Sequence, residues 1–448
     1  MKIIIVGAGE VGLSIAQMLD DEGHNVVVID GQAERLAKIS EQMDVQTVEG
    51  NGANPRVLAE AGAKSADVLI AVTRQDEVNM VACEMAHALF QIPKKIARVR
   101  EEGYLELENS PLYTPHNVPI DVIISPEREV AEHLYRTMLV PGAFDVSPIG
   151  NGAALVVGCY VSDKAPLLGQ RLKSWNREAM PFHLLAVRRD GRLIMPTGSD
   201  HLEAGDEVYL VVAKDDLPKV TPLLVENEKP LQDVLVMGGG RVGVNLVQLL
   251  EEGGQRVRVL DDDPARCAVL AEKVAHATVL HGDALSRQLM VQENVRKMDA
   301  VVACTSDSAV NVLASVMVKQ MGVPKVMTLV NRSSFIPLAE SMGLSKIMPP
   351  KQITISSILR HIRPRQVRSV HAMRDSTGEI LELLVRADAP VAGSHLRDIV
   401  LPPDTMLGCV VKPDGRVVMN DGNAIIQAQD HVVLFATLEK LADVEAMF

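Results

Sequence analysis

The stretch MKIIIVGAGEVGLSIAQMLDDEGHNVVVID, residues 1–30, decides the fold of this chain. Its apolar run Lys2–Val6 predicts a buried strand, and a G-x-G-x-x-G turn over residues 7–12 follows at once. Apolar residues then recur at helical spacing as far as Gly23, and a second apolar run, Val26–Ile29, ends on Asp30. This order of strand, glycine turn, helix, strand and acid is typical of a dinucleotide-binding unit.

Each part of this pattern has a physical role in holding a dinucleotide. Gly7 allows the tight turn, Gly9 lets the backbone approach a pyrophosphate, and Gly12 lets helix and strand pack closely. The free N–H groups at the helix start would bind the phosphates, and Asp30 would accept the ribose hydroxyls. Because a carboxylate repels a 2′-phosphate, Asp30 favours NAD over NADP. The alternative interpretation is a structural turn that binds no ligand.

Composition narrows the class of protein. The 448 residues suggest roughly three domains, and 47% hydrophobic with 23% charged residues indicates a folded chain. A net charge of −13 and only 3% aromatic residues argue against a nucleic-acid partner, which needs cations and stacking surfaces. No run approaches the length of a membrane span, and the short N-terminal apolar run does not fit a signal peptide.

The cysteines and histidines give no sign of a metal or disulfide framework. No C-x-x-C pair occurs, so the cysteines are predicted to be buried free thiols of a reducing compartment. The twelve histidines are scattered without ligand spacing, which predicts no metal site. The five cysteines are Cys83, Cys159, Cys267, Cys304 and Cys409.

Strands and helices alternate through the rest of the first 140 residues, which predicts a doubly wound parallel sheet of the α/β class. The predicted elements are a strand and loop over 46–52, strands at 67–73, 96–99 and 119–125, and helices at 33–42, 55–61, 77–90 and 127–139. Ligands lie at the carboxyl ends of such strands. Candidate residues at those ends are Asn51, Thr73, Arg74 and Arg98, in addition to Gly7, Ala8, Gly9, Glu10, Val11, Gly12 and Asp30.

A smaller α+β domain of about 85 residues is predicted next from the spacing of turn signals. Its predicted strands are 153–160, 184–189 and 207–213, with turns at Arg189-Asp190-Gly191 and Ala204-Gly205-Asp206. The polar stretch Glu226–Pro230 is predicted to be a linker.

The whole pattern then repeats. Gly7 recurs as Gly238 and Asp30 as Asp261, both 231 residues later, and the turns of the small domain return at 413–416 and 428–432. A long repeat in register predicts two Rossmann-like domains, each followed by a small α+β domain. The predicted boundaries are 1–140, 141–226, 231–365 and 366–448.

The second pocket is predicted to differ from the first. Arg98 aligns near Leu329, and Asp283 replaces Asn51, so one cation is lost and one carboxylate gained. We expect weaker binding of a triphosphate there. The alternative is that Arg332 replaces Arg98 through a small backbone shift. The predicted residues of this pocket are Gly238, Gly239, Gly240, Arg241, Val242, Gly243, Asp261, Asp283 and Thr305.

The chain resembles the RCK (KTN) family along essentially its whole length, in the tandem form of the peripheral regulatory proteins of Trk potassium-uptake systems. The resemblance is carried by both domain types and their duplication. The matching stretches are MKIIIVGAGEVG (1–12), RVLAEAGA (56–63), VTRQDEVNMVA (72–82), VMGGGRVG (236–243) and AQDHVVLF (428–435).

The resemblance implies partners and ligands. Proteins of this family form dimers that build a tetrameric gating ring on the cytoplasmic face of a potassium-transporting membrane subunit, here of the TrkH/TrkG type. They bind NAD(H) and, in the Trk case, ATP and ADP. The glycine turns, acids and strand ends named above would form the two pockets. The helix from Glu127 and its counterpart after Pro350 (Ile355, Ile358, Leu359, Ile362) would be crossover helices that tie paired domains together.

Three functions fit these patterns to different degrees. Two nucleotide pockets without catalytic residues favour a cytoplasmic regulatory subunit, peripheral on the inner face of the membrane. A regulatory ring for another cation channel or an antiporter is the alternative. An NAD-dependent dehydrogenase would need a positioned proton donor, usually a histidine oriented by a carboxylate. The histidines of the small domains, His183, His201, His395 and His431, follow no recurring acid–base pattern.

Overall fold

The computed structural model describes residues 1–107, 110–114, 116–175, 180–225, 230–362, 367–373, 377–419 and 421–448. Most of the predicted linker, residues 226–229, and the predicted boundary at 365/366 lie outside the described residues.

The first Rossmann-like domain is a parallel sheet in the order β3-β2-β1-β4-β5-β6. Its strands are β1 (Lys2–Val6), β2 (Asn25–Asp30), β3 (Gln46–Glu49), β4 (Val68–Ala71), β5 (Lys94–Arg98) and β6 (Val122–Ile124). Its helices are α1 (Glu10–Asp21), α2 (Ala33–Gln42), α3 (Pro55–Glu60), α4 (Asp76–Phe90), α5 (Glu102–Leu105) and α6 (Pro126–Leu139). Ile3, Ile4 and Ile5 are fully buried, as expected for a parallel strand covered on both faces.

The first small domain is an antiparallel sheet in the order β10-β9-β11-β8-β7. Its elements are β7 (Ala143–Ile149), β8 (Ala154–Tyr160), β9 (Phe182–Arg189), β10 (Arg192–Ile194), β11 (Glu207–Ala213) and α7 (Leu217–Leu224). The sequence did not predict β7, which carries Pro148, or α7, which carries Pro222.

The second half repeats both sheets, with orders β14-β13-β12-β15-β16-β17 and β18-β19-β22-β20-β21. The strands are β12 (Asp233–Met237), β13 (Arg256–Asp261), β14 (Thr278–His281), β15 (Ala300–Ala303), β16 (Lys325–Leu329), β17 (Lys346–Met348), β18 (Val367–Ala372), β19 (Gly378–Leu384), β20 (Thr405–Val411), β21 (Val417–Val418) and β22 (His431–Thr437). The helices are α8 (Arg241–Glu252), α9 (Pro264–Lys273), α10 (Arg287–Gln292), α11 (Ser308–Gln320), α12 (Ile336–Ser341), α13 (Pro350–Ile362) and α14 (Leu441–Glu445). The predicted fold class is confirmed.

The chain divides into two compact units that do not follow its order. The first unit comprises Met1–Val130 together with Pro350–Ile362, and the second comprises Ala131–Pro349 together with Arg363–Phe448. Helix α13, from the second half of the sequence, therefore belongs to the unit that contains the first parallel sheet. Its Ile355, Ile358, Leu359 and Ile362 join the core around Ile3 and Ile15.

Helix α6 shows the reverse relation. Its first turn belongs to the first unit, whereas Ala131–Leu139 belong to the second. There the carbonyl of Met138 accepts a hydrogen bond of 2.9 Å from Lys325 Nζ on β16. Tyr135 lies against Gly253 at the end of α8, so that a methyl group on that glycine would meet its hydroxyl. Each Rossmann-like domain thus packs with the crossover helix from the other half of the sequence.

The second unit also contains a buried cluster of charge that the sequence did not predict. Asp145 on β7 lies 3.2 Å from His133 Nε2 on α6 and 2.8 Å from His371 Nε2 on β18. Nδ1 of His371 lies within hydrogen-bond distance, 2.9 Å, of the hydroxyl oxygen of Ser147. One carboxylate therefore joins a helix and both antiparallel sheets.

Candidate nucleotide pockets

The two glycine turns have the same geometry. Gly7 and Gly238 take φ values of +113° and +115°, which favour glycine, directly after β1 and β12. A Cβ on Gly12 would lie 1.8 Å from the carbonyl oxygen of Gly7, and one on Gly243 would lie 1.9 Å from that of Gly238. These glycines therefore let each helix approach its strand, as predicted.

The middle glycine of each turn faces open space. An added Cβ on Gly9 or Gly240 would meet no atom within 4 Å. The helices α1 and α8 begin just after these glycines, which as N-cap residues have no side chain to cap the first N–H groups. An uncapped helix start beside an open backbone is an anion-binding geometry.

Asp30 and Asp261 lie at the strand ends where the sequence placed them, but they already have partners. Asp30 accepts hydrogen bonds from the N–H groups of Ala8 (2.7 Å) and Gln32 (2.9 Å). Asp261 accepts from Gly239 (2.6 Å) and Asp263 (2.9 Å). Each carboxylate thus fixes the adjacent glycine turn, a role that the sequence analysis missed.

The two acids differ in how closely the arginine at the equivalent position approaches them. Arg266 Nη1 lies 3.0 Å from both oxygens of Asp261, whereas the nearest approach of Arg35 to Asp30 is 3.6 Å. The neighbouring N–H groups and Arg266 together hold the pKa of Asp261 below its ordinary value, although burial opposes them. A ribose hydroxyl would have to compete with Arg266 in the second pocket, and far less with Arg35 in the first.

A buried asparagine ties the ends of two strands together in each pocket. Asn79 accepts from the N–H of Thr73 (2.9 Å) and donates to the carbonyl of Arg98 (2.8 Å). Asn311 makes the same bonds to Thr305 (2.9 Å) and to the carbonyl of Leu329 (3.0 Å). A Cβ on Gly7 would lie 3.0 Å from Thr73 N, so the glycine turn lies directly against Thr73, which Asn79 links to the backbone of Arg98.

The bonds of this asparagine also show which residues of the first pocket correspond to which residues of the second. Leu329 occupies the position of Arg98, while Arg332 lies three residues further on and is exposed. Arg74 is exposed, and its carbonyl accepts a hydrogen bond of 2.8 Å from Arg100. In the second pocket the counterparts of Arg74, Arg98 and Arg100 are Ser306, Leu329 and Asn331. The expected loss of a cation at the second pocket therefore extends to three arginines.

Other predicted residues lie at the rim. Asn51 and Asp283 are exposed, and each accepts a hydrogen bond from the backbone N–H two residues later (2.9 and 2.8 Å). Both side chains therefore stabilise their own loop. Glu10 and Arg241 are the exposed first residues of α1 and α8, with Val11 and Val242 half-buried after them.

Arg98 has a partner that the sequence analysis did not foresee. Its Nη2 lies 3.3 Å from Oε1 of Glu127, the second residue of α6. Burial lowers the pKa of Arg98, and the adjacent carboxylate of Glu127 opposes that shift.

The cysteines are free thiols, as predicted, and all but the half-buried Cys267 are buried. Burial raises the pKa of Cys83, Cys159 and Cys304 to about 12, so these thiols stay protonated. Among the described residues, no group of three or more His, Cys, Asp and Glu side chains could hold a metal ion. Nor does any helix in those ranges have the length and apolar character to cross a bilayer.

Comparison with protein families agrees with this geometry. A model of the TrkA-N domain matches residues 3–126 and 234–350, and a model of the TrkA-C domain matches residues 157–225. Fold and family models thus define a protein with two TrkA-N domains, the first of which is followed by a TrkA-C domain. The chain belongs to the family of the Trk system potassium uptake protein TrkA, which is not an enzyme family.

Individual relatives support the assignment over the full length. The Trk system potassium uptake protein TrkA of Azorhizobium caulinodans is 36% identical, and the alignment covers 100% of this chain and 98% of the relative. The protein of the same name from Halomonas elongata is 38% identical, with the same coverage.

Two solved structures share the fold. The GsuK RCK domain matches with a TM-score of 0.63 and 17% identity, covering 100% of this chain and 94% of the other. The GsuK channel bound to NAD matches with a TM-score of 0.64 and 16% identity, covering 100% of this chain and 78% of the other.

Proposed function

We propose that this chain is a nucleotide-sensing regulatory subunit that gates a Trk-type potassium-uptake membrane protein from the cytoplasmic face. Its membrane partner would be a potassium-transporting subunit of the TrkH/TrkG type, and the chain would act as dimers building a tetrameric ring. The names of its full-length relatives support the potassium-uptake system. The observation that carries the sensing role is the duplicated, uncapped helix start beside an open glycine backbone.

We infer that the first pocket, formed by residues 7–12, Asp30, Thr73, Arg74 and Arg98, binds NAD(H) or ATP/ADP. The similarly folded GsuK channel is known bound to NAD, which supports a nucleotide as the class of ligand. The second pocket would bind the same class of ligand, with less preference for added phosphates. Its missing arginines and the exposed Asp283 support that difference.

Sensing requires two conformations that differ in nucleotide affinity, because a ligand that binds both equally shifts nothing. The chain should therefore change the activity of its transporter when nucleotide binds. We retain the predicted domain boundaries, 1–140, 141–226, 231–365 and 366–448, as part of this proposal.

Calorimetry with NADH, ADP and ATP on the full-length chain tests the binding, with the double variant Gly9→Ala/Gly240→Ala as a control for the pockets. Heat from the natural chain and none from the variant is the expected result. Potassium uptake by the co-purified transporter subunit, with and without nucleotide, tests the regulation. Absence of binding, or an uptake rate that nucleotide leaves unchanged, would refute the proposal.

A further inference from the structure

The environment of Arg98 carries an inference about how the first pocket selects and reports its ligand. The side chains of Arg98 and Glu127 are only 16% and 19% exposed. Their one short contact is the 3.3 Å approach of Nη2 to Oε1. Nε of Arg98 and Oε2 of Glu127 are buried and have no hydrogen-bond partner among the described residues. A guanidinium carries five N–H donors, so this arginine keeps unused donor capacity.

The position of Arg98 decides which ligands can reach it. It ends β5, which is separated from β1 by one strand, β4. With strands about 4.8 Å apart, the guanidinium's strand lies about 10 Å from the glycine turn across the sheet. A single phosphate held at the helix start therefore lies about two strand spacings from β5, whereas an extended polyphosphate can continue past Thr73 toward Arg98.

Building on the proposed function, we propose that Glu127 is the resident counter-ion of Arg98, and that a terminal phosphate of a bound nucleotide displaces it. The first pocket then selects nucleotides by the number of their phosphates. A ligand phosphate and the Glu127 carboxylate compete for the same donors and repel each other at short range.

Displacement of Glu127 also gives the pocket a means to report its ligand. Glu127 lies in the first turn of α6, and Oε1 of Glu129 in the same turn accepts a hydrogen bond of 2.7 Å from Ser357 on α13. Loss of the Arg98 contact removes one of the side-chain bonds that fix this turn. Helix α6 continues from the first unit into the second. A ligand in the first pocket would therefore act on this helix through its first turn.

The second half provides an internal contrast. Leu329 stands in place of Arg98, and Lys351 follows Pro350 where Glu127 follows Pro126. Neither member of the pair is present at the corresponding positions, so selection by phosphate number should be confined to the first pocket.

Calorimetry of the full-length chain with ATP and with AMP tests this proposal, using Gly240→Ala as the background to block the second pocket. Glu127→Gln should bind ATP about tenfold more tightly and leave AMP unchanged, since a charge-assisted bond is freed for the ligand. Glu132→Gln removes the same charge from the same helix without touching Arg98, and should match the parent. In an Arg98→Gln background the effect of Glu127→Gln should vanish.

Hydrogen exchange provides the second readout. ATP should lower the protection of the first hydrogen-bonded amides of α6, beginning with Glu129, whose N–H donates to the carbonyl of Ser125, in the parent chain and not in Glu127→Gln. The inference would be overturned if Glu127→Gln and its parent bound ATP with equal affinity, or if Glu127→Gln gave the same gain in the Arg98→Gln background. In either case the proposed function would stand, provided that the parent chain binds nucleotide. A parent chain that binds neither nucleotide would overturn both.

Discussion

At the scale of single residues, the glycines of the first turn have separable roles. Gly9 faces open space, so Gly9→Ala should change the free energy of unfolding by no more than about 1 kcal/mol. The new methyl group would occupy the approach of the phosphates, and nucleotide affinity of the first pocket should fall at least about tenfold. Urea denaturation and calorimetry measure the two effects.

Gly12→Ala is the contrasting variant. Its Cβ would lie 1.8 Å from the carbonyl oxygen of Gly7, so helix and strand would have to separate. We expect a loss of stability in addition to a loss of binding. Equal stability of the two variants would contradict the geometry described for the turn.

Asp145 stabilises the second unit because it is the shared partner of His133 and His371. Asp145→Asn should lower the free energy of unfolding by about 3–5 kcal/mol, the usual cost of breaking a buried charge pair. Asp216→Asn, which breaks a surface pair with Lys219, should cost much less, because solvent screens that pair. Urea denaturation near pH 6 compares them, and a similar small loss in both would contradict the prediction.

The effect of Asp145→Asn should also depend on pH. Burial alone would raise the pKa of Asp145, but the two histidines outweigh it and hold the pKa below 3.8. Burial alone would lower the pKa of His371, and Asp145 outweighs it and raises the pKa above 6.5. The stabilising contribution is therefore complete between about pH 4 and pH 6.5. It should decline as the pH rises through the raised pKa of His371, and also in strong acid.

The sequence predicted the residues whose role is local. Glycines and acids at fixed spacing identify the turn because turn and strand impose that spacing directly. Glu127 escaped prediction because its partner Arg98 lies 29 residues away and only the tertiary fold brings them together. The bond from Asn79 to the carbonyl of Arg98 spans 19 residues and follows from no local pattern.

At the scale of elements, α13 contributes to the stability of a domain encoded more than 200 residues earlier. Ile358 is fully buried in the core around β1 and α1. Ile358→Ala should lower the stability of the first unit by about 2–5 kcal/mol through the cavity it leaves. Hydrogen exchange of α1 and β1 measures that loss.

The exposed Arg360→Ala on the same helix is the matched control, and should change stability by no more than about 0.5 kcal/mol. If Ile358→Ala left the exchange of α1 and β1 unchanged, α13 would not be part of that core in solution.

Elements with regular periodicity were predicted, and those that break a propensity rule were not. Strand β7 carries Pro148, which argues against a central strand, but β7 lies at the edge of its sheet, where proline is tolerated. Helix α7 carries Pro222 inside it. For β7 the position in the tertiary structure decides the outcome, and the sequence pattern alone does not carry that information.

At the scale of the whole molecule, duplication produced two pockets with one backbone and different charge. The glycine turns, acids and asparagine links agree in both halves, since they maintain the fold of the sheet edge. The arginines differ, since Arg74, Arg98 and Arg100 correspond to Ser306, Leu329 and Asn331 in the second half. Because the two pockets share a backbone geometry but differ in charge, each chain should have two sites with different nucleotide affinities.

Ionic strength should separate these classes. Salt screens charge–charge attraction, and Arg74, Arg98 and Arg100 of the first pocket correspond to uncharged residues in the second, whereas Glu10 corresponds to Arg241. The first pocket keeps the larger positive charge at these four positions. With Gly240→Ala leaving only the first pocket, ATP affinity should fall about tenfold between about 50 mM and about 500 mM KCl. With Gly9→Ala leaving only the second, the same titration should change about threefold or less. Parallel salt curves for the two variants would mean that the arginines of the first pocket do not face the phosphates, and the assignment of that strand edge to the ligand would fail with them.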